Sequence, residues 1–277
     1  MIPFYRPPSW SLGPFTLEVF GVFVMLGVLL GARFASKDAE RRGLDRNLMA
    51  DFAFWGLIGG VIGGHLVHLF FYHPEELEAG GLIKLLKVWD GLSSTGGLVG
   101  GVITALIFFR QKKVKFHTYA DPLAIGTSIG WAVSRLGCFA VHDHPGRVTD
   151  FFLGVKFPAN VLGAGVPAAT RHDLGLYDAL ALFAMFGVLY TLRNHAKLTG
   201  RLLPLLSLMY GVTRFLFDFL RAMPGDLGYV DARYLGLTPA QYVCFAMVAY
   251  GLWGLFVHKL DAAPPVLPAK KKRAAKG

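Results

Sequence analysis

From Leu123 to Val141 the chain runs nineteen residues with a single charged side chain, Arg135. About 20 predominantly apolar residues are enough for a helix to cross a bilayer core. A guanidinium held inside such a helix costs about 2.5–3.5 kcal/mol on insertion scales, unless it reaches the headgroups or meets an anion. The run ends in a knot of titratable groups, His142, Asp143 and His144, closed by Pro145 and Gly146. Intramembrane charge leading into such a knot is the mark of a functional site. The structural alternative is an arginine that reaches the interface or pairs with a carboxylate such as Asp143 or Asp218.

Runs of this kind recur. Seven apolar spans, at about 15–33, 50–71, 93–109, 119–141, 176–192, 202–220 and 239–257, are separated by polar, Gly- or Pro-containing segments. With 54% hydrophobic and 17% charged residues, the chain reads as an all-α, polytopic membrane protein. The first run is followed by Arg33, Lys37, Arg41, Arg42 and Arg46. A secretory signal peptide has the opposite charge order, so this run is expected to stay as a helix with its N-terminus outside.

The charges then orient the whole. Eighteen lysines and arginines fall on one side of the seven spans and eight on the other, with Arg135 and Arg214 inside spans. The positive-inside rule makes this N-out and C-in. Residues 1–260 are expected to form one seven-helix membrane domain with an outer, periplasmic polar segment at about 142–175. Residues 261–277 are expected to be a disordered, basic cytoplasmic tail, with Lys270 to Lys276 lying against anionic inner-leaflet lipid. That tail accounts for much of the basic charge, and no aromatic or RNA-module context accompanies it, so nucleic acid is not an expected partner.

Small residues indicate how the spans meet. Gly27 and Gly31, Gly56 with Gly60 and Gly64, Gly59 with Gly63, and Gly96 with Gly100 have four-residue spacing, which lets helix backbones approach closely in lipid. Gly96 and Gly97 begin a span, where bare backbone N–H groups can also meet a phosphate. Tyr210, Arg214, Asp218 and Arg221 share one face of the sixth span. Arg214 and Asp218 either neutralise each other or leave Arg214 to join Arg135 in clamping a lipid phosphate, whose oxygens match the guanidinium fork. His65 and His68, one turn apart in the second span, are read as hydrogen-bonding residues before a proton or metal pair. Cys138, His142, Asp143 and His144 are metal-ligand types, but their spacing fits no compact zinc site and no metal is expected. Two cysteines give no disulfide framework.

At these residues the chain resembles the bacterial prolipoprotein diacylglyceryl transferases. That family's Gly-Arg-(Ile/Leu)-Gly-Asn-Phe, followed by Glu and Gly-Arg, is similar to Ser134-Arg135-Leu136-Gly137-Cys138-Phe139, Asp143 and Gly146-Arg147. Its Trp-Asp-Gly and His-Gly-Gly-Leu resemble Trp89-Asp90-Gly91 and Thr95-Gly96-Gly97-Leu98. Its Arg-His-Pro and Leu-Tyr-Glu resemble Arg171-His172-Asp173 and Leu176-Tyr177-Asp178. Its Tyr-Gly-x-x-Arg-Phe, acid and Phe-x-Arg resemble Tyr210-Gly211-Val212-Thr213-Arg214-Phe215, Asp218 and Phe219-Leu220-Arg221. Four short motifs in the same order, from about Gly13 to the last span, make the resemblance specific.

The resemblance implies a seven-helix inner-membrane enzyme. Such an enzyme moves a diacylglyceryl group from phosphatidylglycerol to the lipobox cysteine of a preprolipoprotein signal peptide, without a cofactor, and releases glycerol phosphate. Arg135 and Arg214 would hold the phosphate and stabilise the leaving group, Tyr210 would donate a hydrogen bond, and Asp143 and Asp218 would orient the guanidiniums. Thr95, Gly96, Gly97, Cys138, Gly146 and Arg221 would complete the lipid site. The departures are Thr95 in place of the family's histidine, Cys138 in place of its asparagine, and Phe20 in place of a tyrosine. Threonine is no neutral-pH base, which turns attention to His142 or His144. The competing reading is a divergent paralogue that binds lipid or lipoprotein without catalysis, or serves another acceptor. A small-solute transporter would show internal repeats, and none is seen.

Overall fold

The computed structural model describes residues 1–12, 15–88, 91–223, 225–227 and 233–257. Among them are the helices α1 (Val19–Arg41), α2 (Arg46–Val67), α3 (Pro74–Gly80), α4 (Ser94–Gln111), α5 (Ala120–Val141), α6 (Leu174–Leu192), α7 (Leu202–Phe217) and α8 (Pro239–Leu252). A π-helical turn, His68–Tyr72, extends α2, and a 3-10 turn, Asp218–Leu220, extends α7. Side chains set several starts, as Asp45, Ser93, Asp173 and Thr238 each accept a hydrogen bond from the first turn of the helix that follows.

Six helical segments are long and apolar enough to cross a membrane: Val19–Arg41, Arg46–Tyr72, Ala120–Val141, Leu174–Leu192, Leu202–Leu220 and Pro239–Phe256. The third expected span does form a helix, α4, but its polar Ser94-Thr95 start and Arg110-Gln111 end keep it outside that set. The first helix starts at Val19 rather than near residue 15, because Phe15–Leu17 pairs as a strand with Trp10–Leu12. It continues to Arg41, so Arg33, Lys37 and Arg41 stand on helical turns. The motif residues Trp89 and Asp90 and the basic tail lie outside the described residues.

Glycine-lined contacts set the helix pairs. A Cβ on Gly27 would strike the carbonyl oxygen of Gly130, and one on Gly31 would come within 2.8 Å of the Gly126 oxygen. So α1 lies backbone to backbone on α5. In the same way Gly59 and Gly63 of α2 face Gly96 and Gly100 of α4, where a Cβ on Gly63 would meet Gly100 Cα at 2.6 Å. Side chains pointing away from these seams, such as Met25, Leu29, Phe54, Trp55, Ile103 and Leu106, are exposed, as expected of a lipid-facing surface. By contrast α5 is buried along most of its length.

The polar segment after α5 is not helical, which corrects the all-α expectation. Three stretches of it join an N-terminal strand in a four-stranded sheet, in the order β1 (Ile2–Pro3), β5 (Val155–Phe157), β6 (Ala169–Asp173) and β4 (Pro145–Val148), where β2 and β3 are the two strands of the Trp10–Leu17 pairing. In register, Val155 of β5 and Val148 of β4 both oppose Arg171 of β6. His142 makes the corner. It caps α5 in the left-handed conformation, φ 52°, its Nδ1 lies 2.7 Å from Asp173 Oδ2, and its ring stacks on Phe4 at 5.0 Å. Because Asp173 also accepts from Leu176 N at 3.2 Å, one carboxylate joins the end of α5 to the start of α6.

The opposite end of α5 is latched by charge. Asp121 accepts hydrogen bonds from Arg42 Nη1 at 2.9 Å, Gly200 N at 2.7 Å and Leu202 N at 3.0 Å. Arg42 Nε also meets Asp38 at 2.7 Å. These groups are buried, and every hydrogen bond helps offset the cost of removing the charges from water. At 1.5 Å rise per residue this latch lies about 21 Å along α5 from Arg135. In the second span His65 Nδ1 lies 3.1 Å from Gly91 O and Nε2 2.8 Å from Lys84 O. It ties these two backbone positions to α2.

Candidate active site

Arg135 of α5 and Arg214 of α7 face each other across a small cavity that Ser94 and Thr95 of α4, Tyr210 of α7 and Cys244 of α8 also line. Both arginines are buried, at 2% and 4% exposure. Their positions follow from the helices that carry them. Gly137 lets α5 approach the first turn of α1, where a Cβ would meet Phe23 Cβ at 2.8 Å. Gly211 packs α7 on α8, with Met247 Cβ 3.1 Å from where its own would be. Tyr210, Arg214 and Asp218 then recur at four-residue intervals on the inner face of α7, and Tyr210 packs on Trp131 with ring centroids 4.7 Å apart.

Arg135 is surrounded by groups from four segments. Its Nη2 donates to Ser94 Oγ at 3.1 Å and lies 3.2 Å from Asp178 Oδ2. Its Nη1 lies 3.7 Å from Cys138 Sγ and 3.5 Å from His144 Nε2. Arg214 Nη1 approaches the same Asp178 oxygen at 3.5 Å, and its Nη2 meets Asp218 Oδ1 at 2.9 Å. Asp218 in turn is held by Thr238 Oγ1 and lies 3.6 Å from Arg221 Nη1. At the centre Arg135 Nε and Arg214 Nη1 make no hydrogen bond, and the Asp178 oxygens meet the arginines only at ion-pair distance. Buried polar groups are seldom left so, and the two arginine donors could turn to a ligand's acceptor atoms.

The two histidines of the sequence knot part company. His142 is taken up by Asp173 and an aromatic box. His144 turns inward: its Nδ1 is held by the Asp143 carboxylate while Nε2 faces Arg135. Burial alone would raise the Asp143 carboxyl, but the contact with His144, with Arg135 beyond it, holds it below the ordinary carboxylate range. If Nδ1 carries the proton toward Asp143, Nε2 keeps its lone pair for the site.

The remaining predicted residues divide by location. Thr95 lines the cavity with its Oγ1 3.3 Å from the hydroxyl of Tyr72, on the π-helical turn of α2. Cys138 lies beside Arg135 as described. Gly96 and Gly97 do not offer free N–H groups to a phosphate: Gly96 N donates to Ser93 Oγ at 3.3 Å and Gly97 N to Ser93 O at 2.9 Å. Gly96 also packs against α2. Gly146 sits on β4 opposite Arg221, where a side chain would strike the Leu220 carbonyl; its place is at the seam between sheet and α7, outside the arginine cavity. Cys138, Asp143 and His144 bring ligand-type atoms within 4.8 Å of one another. Arg135 already sets a cation against two of the three, which opposes a metal ion there.

Asp178 was not singled out by sequence for any role, although it stands between both arginines with no exposed surface. The signal was present, since it is the one charged residue of α6, a helix apolar enough to span a membrane. Ser94 carried no comparable signal.

The sequence profile of the prolipoprotein diacylglyceryl transferase family matches residues 7–257. Relatives named phosphatidylglycerol–prolipoprotein diacylglyceryl transferase align over nearly the whole chain. One from Chromohalobacter salexigens is 31% identical over 252 residues, covering 90% of this chain and 91% of the relative. One from Xanthomonas oryzae is 31% identical over 283 residues, with 95% and 94% covered. A third, from Geobacter sulfurreducens, is 32% identical over 254 residues, with 90% and 94% covered.

Proposed function

The chain belongs to the prolipoprotein diacylglyceryl transferase family, and from that membership we propose that it transfers the diacylglyceryl group of phosphatidylglycerol to the lipobox cysteine thiol of a preprolipoprotein. Curated relatives of several bacteria carry this activity in their names. The observation that supports the reading on the structural side is the convergence of Arg135 and Arg214, from different helices, on one small cavity.

In this mechanism the guanidiniums take the lipid phosphate in place of part of their contact with Asp178. The acceptor thiol gives its proton to His144 Nε2, while Asp143 holds the imidazole in the productive tautomer. A thiol with a pKa near 8.5 is about 3% ionised at pH 7, so a positioned base and a positive field both matter. The thiolate then attacks the glyceryl carbon that bears the phosphate. A carbon–sulfur bond forms, the carbon–oxygen bond to phosphorus breaks, and its electron pair stays with the phosphate oxygen. The phosphate thus goes from one negative charge to two, and Arg135, Arg214 and Tyr210 stabilise the charge as it builds.

Thr95 has no share in proton transfer in this scheme; His144 stands in for the histidine the family has at that position. Seven spans with N-out, C-in orientation, α4 included, would put the sheet and the arginine pair toward the outer leaflet of the inner membrane, where lipoprotein precursors present their cysteine. The charge asymmetry of the sequence supports that orientation. The test is transfer by the purified protein in detergent from phosphatidylglycerol to a peptide with a lipobox cysteine. Thioether product with stoichiometric glycerol phosphate is expected. Its absence, with lipid still bound, would favour the non-catalytic paralogue instead.

A further inference from the structure

Asp178 has a geometry that a simple structural ion pair does not explain. It lies within 3.2 Å of Arg135 and 3.5 Å of Arg214, yet neither of its oxygens has a hydrogen-bond donor in good geometry. Asp121, at the other end of α5, shows what a structural carboxylate looks like in this protein: three donors fill its two oxygens. Asp178 therefore supplies charge to the arginine pair through ion-pair contacts, without the hydrogen bonds that fix Asp121, and Arg135 Nε makes no hydrogen bond.

The sign of that charge matters for what the pair retains. Carboxylates flank the arginine pair: Asp178 lies between Arg135 and Arg214, Asp218 meets Arg214 and Arg221, and Asp143 stands behind His144. A phosphodiester brings one negative charge to these surroundings. A phosphomonoester adds one at acid pH and approaches two above its second pKa near 6. In a buried site, where charges are poorly screened, the second charge lies against Asp178 at close range. Resting on the reading that the arginine pair takes a lipid phosphate, we propose that Asp178 is a specificity-determining residue: it limits the negative charge the pair will hold, so the site keeps a monoanionic phosphodiester and sheds a dianionic phosphomonoester. Substrate and product of the transfer differ in this respect: the arginines stabilise the charge as it builds, and Asp178 offsets part of that stabilisation, so the doubly charged product is not retained.

The test is binding of two soluble ligands to the detergent-solubilised full chain, by isothermal titration between pH 5.5 and 7.5. Glycerol phosphate is the monoester, and glycerophosphoglycerol, the deacylated headgroup, is the diester with one charge throughout. Other titratable or charged groups face the pair, namely Cys138, Asp143 and His144 beside Arg135, Tyr210 and Asp218 on α7 and its extension, Cys244 on α8, and Arg221. Asp178→Asn retains all of these groups, so the change in the ratio between the native protein and this variant isolates the part due to Asp178. In the native protein the monoester is expected to weaken tenfold or more relative to the diester across this range. In Asp178→Asn that dependence disappears or reverses, while Asp178→Glu keeps it.

A merely structural role would change both affinities together and leave the ratio alone. A flat ratio in the native protein, an unchanged ratio in Asp178→Asn, or no binding of either ligand would overturn the proposal. Should Asp178→Asn fail to fold, the native ratio and Asp178→Glu still decide it. The transfer assay is separate, so a protein that binds with the expected ratio and transfers nothing would contradict the activity and not the role of Asp178.

Discussion

His144 Nε2 lies 3.5 Å from the guanidinium of Arg135, and Asp143 holds the other nitrogen of the same ring. The arrangement places an imidazole nitrogen beside the arginine that would hold the lipid phosphate, where a general base would act. His144→Ala is expected to lower the transfer rate by about 10²–10⁴, the usual contribution of a general base, with little loss of lipid binding. Thr95→His should then add little, because the base is already in place. Full activity in His144→Ala would remove the histidine from the mechanism.

His142→Ala should behave in the opposite way. Losing a buried partner leaves the Asp173 carboxylate without its histidine and opens the box formed by Phe4, Phe139 and Phe157. A loss of about 1–3 kcal/mol in stability is expected, seen as a lower unfolding temperature in detergent, with near-native transfer per folded molecule.

The latch at the far end of α5 predicts a purely structural defect. Asp121→Asn leaves Arg42 buried with a weaker partner, and breaking a buried ion pair costs about 3–5 kcal/mol. Unfolding measurements should register that loss. The pH profile of transfer should stay as in the native protein, because the latch and Arg135 are far apart on α5.

His172, on β6, hydrogen-bonds the Tyr177 hydroxyl at 2.8 Å, and burial holds its pKa below the ordinary histidine value. The unfolded chain therefore binds the proton first as pH falls. Stability conferred by the neutral ring is complete above about pH 6.5 and declines below it, until the folded-state pKa is passed. The depressed Asp143 acts lower, losing its contribution only as pH falls through a value under the ordinary carboxylate range. Thermal unfolding followed from pH 7.5 to 5.5 should show the decline, and His172→Gln should flatten it.

Much of this was legible in the sequence. Apolar runs with few charges located the membrane helices, since the chain has no other way to satisfy its backbone in lipid. The Gly27–Gly31 and Gly59–Gly63 spacings correctly indicated close helix approach, although their partners could not be paired from one strand of sequence. The sheet escaped notice because its strands are two to five residues long, too short for alternation to register. Which histidine faces the arginines depends on the left-handed turn at His142, and a tertiary constraint, the hydrogen bond to Asp173, fixes that turn. Asp178 is different. Like Arg135 it is a lone charge in an apolar span, and only its partners required the structure.

The arginine pair is the centre of the account, and transfer by Arg135→Lys and Arg214→Lys tests it most directly. Lysine keeps the charge and loses the fork, so each variant should bind phosphatidylglycerol more weakly and transfer about 10²–10³ times more slowly, as when one preorganised donor is removed from a transition-state site. Far-ultraviolet circular dichroism and unfolding temperature confirm that each variant is folded. Native transfer rates in either folded lysine variant would contradict the assignment of the lipid phosphate to these two residues.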